Sequence, residues 1–145
     1  MQRITNTKAG FNYEFLDQFE AGLSLTGAEV KSLRQGHATI SEAFIANDGN
    51  ELFLVKSYIA PYQMKNQAGY DAYRKRKLLV SKKQIAELSR KKSEAGLTLI
   101  PLALYDTRGL IKLQFALARG KKKHDKRQDL KKRDDERDMA RLMKS

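Results

Sequence analysis

Cysteine is absent from this 145-residue sequence. That removes disulfides and thiolate metal sites and leaves the redox compartment open. No window approaches the ~20 consecutive apolar residues that a membrane-spanning helix requires. The opening residues, MQRITNTKAG, lack the apolar stretch of a signal peptide, so a cytoplasmic location is expected. Histidine occurs twice, at His37 and His124; the two cannot form a metal site without carboxylates, and no close-spaced ligand set is present. His37 follows Gly36 in an expected turn and reads as a surface residue. His124 lies in a basic run, where it can stack on a base. No nucleophile–base arrangement and no phosphate-loop glycine pattern is present. Nothing argues for catalysis, a metal or a cofactor.

What the chain has in excess is positive charge. Its net charge is +12 and its pI about 9.9. From Lys121 to Ser145 there are eleven Lys/Arg against six Asp/Glu, and the preceding residues carry eighteen against eleven. Both parts are basic, so a polyanionic partner is implied. Nucleic acid is the commonest, and a membrane surface is the rival.

Patterning divides the chain at Gly120 into a folded domain, 1–120, and a tail, 121–145. Residues 1–12 read as a polar arm or a single helical turn. Tyr13, Phe15, Asp17, Phe19 and Ala21 then alternate with their neighbours as one face of a strand. Thr26-Gly27-Ala28-Glu29 fits a capping box, opening a helix from Ala28 to Arg34 that buries Val30 and Leu33. Strands at Ile40–Ile45 and Glu51–Tyr58 flank Asn47-Asp48-Gly49-Asn50, a tight hairpin turn. Gln63 to Tyr73 reads as a surface loop. The basic run Arg74-Lys75-Arg76-Lys77 enters an apolar strand, Leu78-Leu79-Val80. Arg74, Arg76 and Lys77 are candidate RNA contacts, and Leu79 reads as core. Ser81 and Gln84 offer a second capping box for a helix to about Ala95 that buries Ile85 and Leu88, with Gly96 as its left-handed stop.

The last two strands are the most regular. Thr98, Ile100, Leu102 and Leu104 alternate with their neighbours. Beyond Asp106–Gly109, Ile111, Leu113, Phe115 and Leu117 point one way while Lys112, Gln114, Ala116 and Ala118 point the other. Pro101 donates no ladder bond, so its strand should lie at an edge or carry a bulge. About six strands with two to three outer helices imply a mainly β protein. The expected architecture is a small closed or nearly closed antiparallel barrel of OB-like character. Glu29 has a capping explanation. Glu20 has none, and reads either as a solvent-facing strand residue or as an acceptor for base or ribose donors.

The tail offers only Leu130, Met139, Ala140, Leu142 and Met143 as apolar groups. These do not repay an ordering cost of ~1–2 kcal/mol per residue. Helix propensity is nevertheless high, and Asp129 with Arg133, Asp134 with Arg137, and Asp138 with Arg141 stand at helical spacing. Arg133, Arg137 and Arg141 would form one ridge. The expectation is a tail disordered alone and helical against phosphate; a merely solubilising tail fits the composition equally. As a helix it would span ~37 Å, against a radius of gyration of ~14 Å for the domain.

Several strings together resemble one family. They are Phe19-Glu20-Ala21-Gly22, TGAEVKSLRQG from Thr26 to Gly36, Tyr58-Ile59-Ala60-Pro61-Tyr62, RKRKLLV from Arg74 to Val80, GLTLIPLALY from Gly96 to Tyr105, and ALARGKKKHDKR from Ala116 to Arg127. Order and spacing resemble the SsrA-binding proteins, or small protein B, the tmRNA partners in trans-translation, over nearly the whole chain. The resemblance implies an OB-like barrel with external helices and a tail ordered on the ribosome. It implies tmRNA contacts at Asn6, Glu20 and Leu79, and a hinge at Gly120, Lys121 and Lys122. It places His124, Asp125, Lys126 and Arg127 in the vacant decoding centre. The helical tail of the family covers Lys131 to Lys144, so Lys131, Lys132, Arg133, Arg137 and Arg141 would line the mRNA channel. Implied partners are tmRNA and the small-subunit rRNA of the stalled ribosome, with alanyl-tRNA synthetase and elongation factor Tu acting on the same complex and the protein itself a monomer. Two stretches depart from the family pattern. Ala9-Gly10-Phe11-Asn12 lacks the usual Arg or His, and Asp71-Ala72 replaces Asp-Pro.

The alternative from the residues is an OB-type single-stranded-RNA binder or ribosome-assembly protein. Such proteins stack bases on exposed aromatics, whereas Phe15, Phe19 and Phe115 sit on expected core faces. A membrane-surface helix would need a wider apolar face than the tail supplies.

Overall fold

A computed structural model describes residues 1–63, 68–121, 127, 130, 131, 133 and 137. The strands are β1 (Ile4–Thr5), β2 (Tyr13–Leu23), β3 (Ala38–Thr39), β4 (Phe44–Asp48), β5 (Glu51–Val55), β6 (Tyr58–Ile59), β7 (Arg76–Leu79), β8 (Thr98–Thr107) and β9 (Leu110–Gly120). The helices are α1 (Ala9–Asn12), α2 (Gly27–Arg34) and α3 (Lys82–Ala95). Seven strands form an antiparallel sheet in the order β1-β8-β9-β2-β7-β5-β4, and β3 pairs with β6 in a second, two-stranded sheet.

The fold is mainly β, as expected, but the sheet is not a closed barrel. Among the described residues no hydrogen-bonded pairing joins its edge strands, β1 and β4. β1 pairs with β8 alone, and β4 packs against β8 without joining its ladder.

Local chemistry explains the helix ends. The Thr26 hydroxyl accepts from the Glu29 N–H at 3.2 Å, and Glu29 Oε1 accepts from the Thr26 N–H at 3.0 Å, the full capping box. Ser81 supplies the first half of the second box, accepting from the Gln84 N–H at 3.1 Å. Gly96 closes α3 at φ 62°.

Two expected strands differ. Of Ile40–Ile45 only Phe44 and Ile45 are strand, in β4, because a turn in which the Ala43 N–H donates to the Ile40 carbonyl occupies its start, and β3 lies ahead of it. The second, Glu51–Tyr58, breaks where Lys56 adopts φ 61° and Ser57 turns inward, fully buried. Its end, β6, pairs with β3 as a separate two-stranded sheet.

Pro101 produces the expected bulge. The β8–β9 register jumps between Pro101 opposite Phe115 and Ala103 opposite Gln114, leaving Leu102 as the extra residue. A matching irregularity in β2 falls between Phe15 and Asp17. Beyond it Phe19, Ala21 and Leu23 turn inward while Gln18, Glu20 and Gly22 turn outward. The core lies under the inward face, where Leu54, Leu78, Leu104, Leu113 and Phe115 meet Leu33 of α2 with Ile85 and Leu88 of α3. Phe19 lies against Phe115, ring centroids 5.6 Å apart.

Candidate nucleic-acid interface

Strand register assembles the site on the outward face of the large sheet. Gly22 of β2 stands opposite Leu79 of β7 on one side and Lys112 of β9 on the other. Lys112 in turn stands opposite Tyr105 of β8. These four residues form one row across four strands. One step along β2, Glu20 faces Gln114. Because side chains two apart share a face, Glu20 joins this surface.

Glu20 is exposed and accepts a hydrogen bond from the Tyr105 hydroxyl. Partial burial and the Glu20 carboxylate raise the Tyr105 pKa to about 12, with Arg3 opposing. The phenol therefore stays protonated at neutral pH and remains a donor. It fixes one Glu20 oxygen, and the other lone pairs are left for outside donors. The Arg3 guanidinium lies 4.6 Å over the Tyr105 ring and also donates to Gln114. Gln114 donates to Gln18 at 2.7 Å. Sequence reasoning singled out Glu20 but missed Arg3 and Tyr105. Alternation in β9 had already put Lys112 and Gln114 on the face opposite the core. Which residues they meet is set by strand order, which period alone does not supply.

Leu79 corrects the core expectation. Along β7 burial alternates: Arg76 in, Lys77 out, Leu78 in, Leu79 out. Leu79 is 56% exposed and lies on the face that carries Glu20. Leu79 lies against Gly22, where a Cβ would stand 3.4 Å from Leu79 Cδ1, an ordinary contact distance. Lys77 shares the outward side and pairs with Glu51 at 2.9 Å.

The opposite correction applies to Arg76, an expected RNA contact. It is fully buried. Its guanidinium donates to Glu29 Oε2 at 2.6 and 2.9 Å, to the Ser57 carbonyl and hydroxyl at 2.8 and 3.0 Å, and to Tyr70 and the Ala72 carbonyl at 3.0 and 3.1 Å. A phosphate cannot reach it. Arg74 is partly withdrawn as well, since it donates to both Glu29 oxygens and to the Ser24 carbonyl. Glu29 is thus more than a cap. Burial pushes its carboxyl up, but hydrogen bonds from Arg74, the Thr26 N–H and Arg76 outweigh that and hold its pKa down to about 2. The basic run divides by strand period: Arg76 inward for structure, Lys77 outward.

Asn6 lies at the far edge of the sheet, just beyond β1. Its side chain donates to the Pro101 carbonyl at 2.9 Å and its N–H to the Leu102 carbonyl at 2.8 Å. It therefore pins the bulge. Gly120 ends β9 opposite Tyr13. Lys121 is tied to α1 through its N–H to the Asn12 carbonyl at 3.0 Å and its Nζ to the Gly10 carbonyl at 2.9 Å. Arg127, Lys131, Arg133 and Arg137 are helical and exposed, and the Arg133 guanidinium stands 5.4 Å from the Phe11 ring centroid. Lys122, His124, Asp125, Lys126, Lys132 and Arg141 lie outside the described residues. The structure thus brings Glu20, Leu79 and Lys77 to one face, keeps Asn6 at its margin and removes Arg76 from it.

A basic, mainly antiparallel β domain whose exposed sheet face combines cations, a held carboxylate and an apolar strip defines a nucleic-acid-binding module. Comparison with known proteins narrows this class. The chain belongs to the SmpB protein family, whose model matches residues 3–145. It is 54% identical to the SsrA-binding protein of Bartonella henselae, over 96% of this chain and 89% of that protein. It is 51% identical to the SsrA-binding protein of Chelativorans sp. strain BNC1, over 96% and 90%. A solved structure described as "tmRNA-SmpB: a journey to the center of the bacterial ribosome" superposes with a TM-score of 0.68 at 40% identity, covering 88% of this chain and 94% of that one.

Proposed function

We propose that this chain binds the tRNA-like domain of tmRNA through the outward face of its large sheet and delivers it to stalled ribosomes in trans-translation. The observation that carries the reading is the joint exposure of Glu20 and Leu79 on one face, beside Lys77 and Lys112, in a chain whose relatives are SsrA-binding proteins. Cations attract phosphates and supply affinity without sequence preference. Glu20 accepts from base or ribose donors, and shape and unpaired bases supply selectivity. Arg74 keeps part of its donor set for phosphate, and Asn6 acts by holding the margin of the face. An OB-like curl of the sheet belongs to this reading, and the packing of β4 against β8 supports it.

The two-part division into 1–120 and 121–145 belongs to this reading. The domain takes the place of an anticodon arm, and the tail extends from Gly120, Lys121 and Lys122. His124 to Arg127 then act in the decoding centre, and Lys131, Lys132, Arg133, Arg137 and Arg141 meet ribosomal RNA along the empty mRNA channel. The tail enters only where mRNA is absent, which sorts stalled from working ribosomes. The protein acts as a cytoplasmic monomer and breaks no bond; alanyl-tRNA synthetase and elongation factor Tu serve the same complex.

Glu20→Ala is the direct test. A carboxylate that accepts from RNA contributes about 1.5–3 kcal/mol, so the Kd for the tRNA-like domain should rise roughly 10- to 100-fold. The thermal midpoint should stay within about 2 °C of the parent, because Glu20 is exposed. An unchanged Kd would remove this face from the interface.

A further inference from the structure

We propose that Phe11 is a latch for the tail: its ring holds Arg133 against α1 in the RNA-free protein and keeps that guanidinium from phosphate until RNA displaces it. The contact stands on geometry alone. Its consequence at the ribosome rests on the tmRNA-delivery reading.

The tail starts from a fixed point. A helix leaves its last four carbonyls without partners of its own, and α1 is only four residues long. The Tyr13 N–H covers the Ala9 carbonyl. Lys121 covers two of the others: its N–H donates to the Asn12 carbonyl at 3.0 Å and its Nζ to the Gly10 carbonyl at 2.9 Å. The root of the tail is therefore tied to the residues on both sides of Phe11. Arg133, further along the tail, stands with its guanidinium 5.4 Å from the Phe11 ring centroid. The tail thus meets the same short helix at two separate points.

The chemistry suits a latch that can open. Phe11 is half-buried and Arg133 exposed, so the ring is held by the domain while the guanidinium comes from the tail. A planar, weakly hydrated guanidinium is the cation best fitted to an aromatic face. Ala9 to Tyr13 contain no Lys or Arg to repel it. Lys8 precedes α1 but pairs with Glu42, and Lys121 directs its ammonium to the Gly10 carbonyl. With Lys121 pinned, only the span from Lys121 to Arg133 has to close, an intramolecular event of modest entropic cost.

Strength decides what opens it. One exposed cation–π contact shifts an equilibrium about two- to fivefold. An RNA that engages several tail cations gains affinity with each phosphate neutralised, and so outweighs the latch. An isolated phosphate does not. The tail is thereby kept from casual contacts and surrendered to an extended phosphate-lined surface.

The test uses the full-length chain. Its sequence contains no cysteine, so Thr7→Cys gives one attachment point for a nitroxide beside α1, at an exposed residue. Amide NMR of the RNA-free protein should show paramagnetic broadening at position 133. Phe11→Leu keeps an apolar side chain and removes the π face; it should lower the ratio of stowed to released tail about two- to fivefold. Arg133→Gln should do the same without touching α1, so a collapsed α1 cannot mimic the effect. The two combined should do no more than either, since both break one contact. Phe11→Tyr should keep the broadening. A uridine homopolymer should remove it from the parent, and at lower concentration from Phe11→Leu. Absent broadening in the parent, or broadening that Phe11→Leu and Arg133→Gln leave unchanged, overturns the latch. Broadening that persists while the homopolymer shifts the Arg133 amide overturns the withholding of Arg133 from phosphate. Neither result bears on the sheet face, which Glu20→Ala tests separately.

Discussion

Glu29→Ala destabilises the domain by about 3–5 kcal/mol, the range for removing one partner of a buried ion pair. That is a large share of the ~5–15 kcal/mol that holds a domain of this size together. Two losses add. The Thr26 N–H loses Glu29 Oε1, the side-chain half of the capping box, while the backbone N–H at position 29 still donates to Thr26 Oγ1. More costly, Arg76 keeps its charge inside the protein with its main carboxylate partner gone, at 0% exposure. Ser57, Tyr70 and the Ala72 carbonyl remain to accept from it, but none of them is anionic. Urea unfolding at pH 7 should show a lower midpoint at unchanged slope. A loss below about 1 kcal/mol would mean that the cluster relaxes without its carboxylate.

The same carboxyl gives the fold an acid limit. Its folded pKa of about 2 lies below the ordinary 4.5, so the folded state favours the ionised form. The stabilisation is complete above the ordinary value and is lost as pH falls from about 4.5 toward 2, where the native carboxylate takes up its proton. The lost increment is on the order of 3 kcal/mol. Parent protein should therefore weaken over that window, and Glu29→Ala should weaken less.

Deleting Lys131 to Ser145 should abolish tagging on stalled ribosomes and leave the Kd for the tRNA-like domain within about twofold. The deleted stretch holds six of the eleven tail cations, Lys131, Lys132, Arg133, Arg137, Arg141 and Lys144, and none of its described residues belongs to the core. Arg133 over the Phe11 ring is worth about 0.5–1 kcal/mol at an exposed site, so stability should hardly change. In-vitro tagging on ribosomes with truncated mRNA reads the first effect and filter binding the second. A loss of tmRNA affinity comparable to the loss of tagging would contradict the two-part division.

How far these results could be foreseen depends on the range of each interaction. The Thr26–Glu29 box lies within four residues and was legible. So were the β9 alternation, the Gly96 stop and the bulge at Pro101. Arg76 was misread because its partner lies 47 residues away, and a buried guanidinium looks like any other in a basic run. Leu79 was misread because Leu78 and Leu79 are both apolar. Period fixes that they face opposite ways; only the neighbours of β7 decide which is inside. The resemblance to a family supplied Leu79 where the pattern could not. Lys56 broke an expected strand through a positive φ that nothing in its residue type announces.

Selectivity among folded RNAs is the central claim, and competition binding measures it most directly. Labelled tRNA-like domain of tmRNA is held on the full-length protein at moderate ionic strength and displaced with unlabelled tmRNA or with bulk transfer RNA. The account requires tmRNA to compete at least about tenfold better, a margin that shrinks in Glu20→Ala. Equal competition by bulk transfer RNA would mean that the basic surface attracts phosphate without recognising tmRNA.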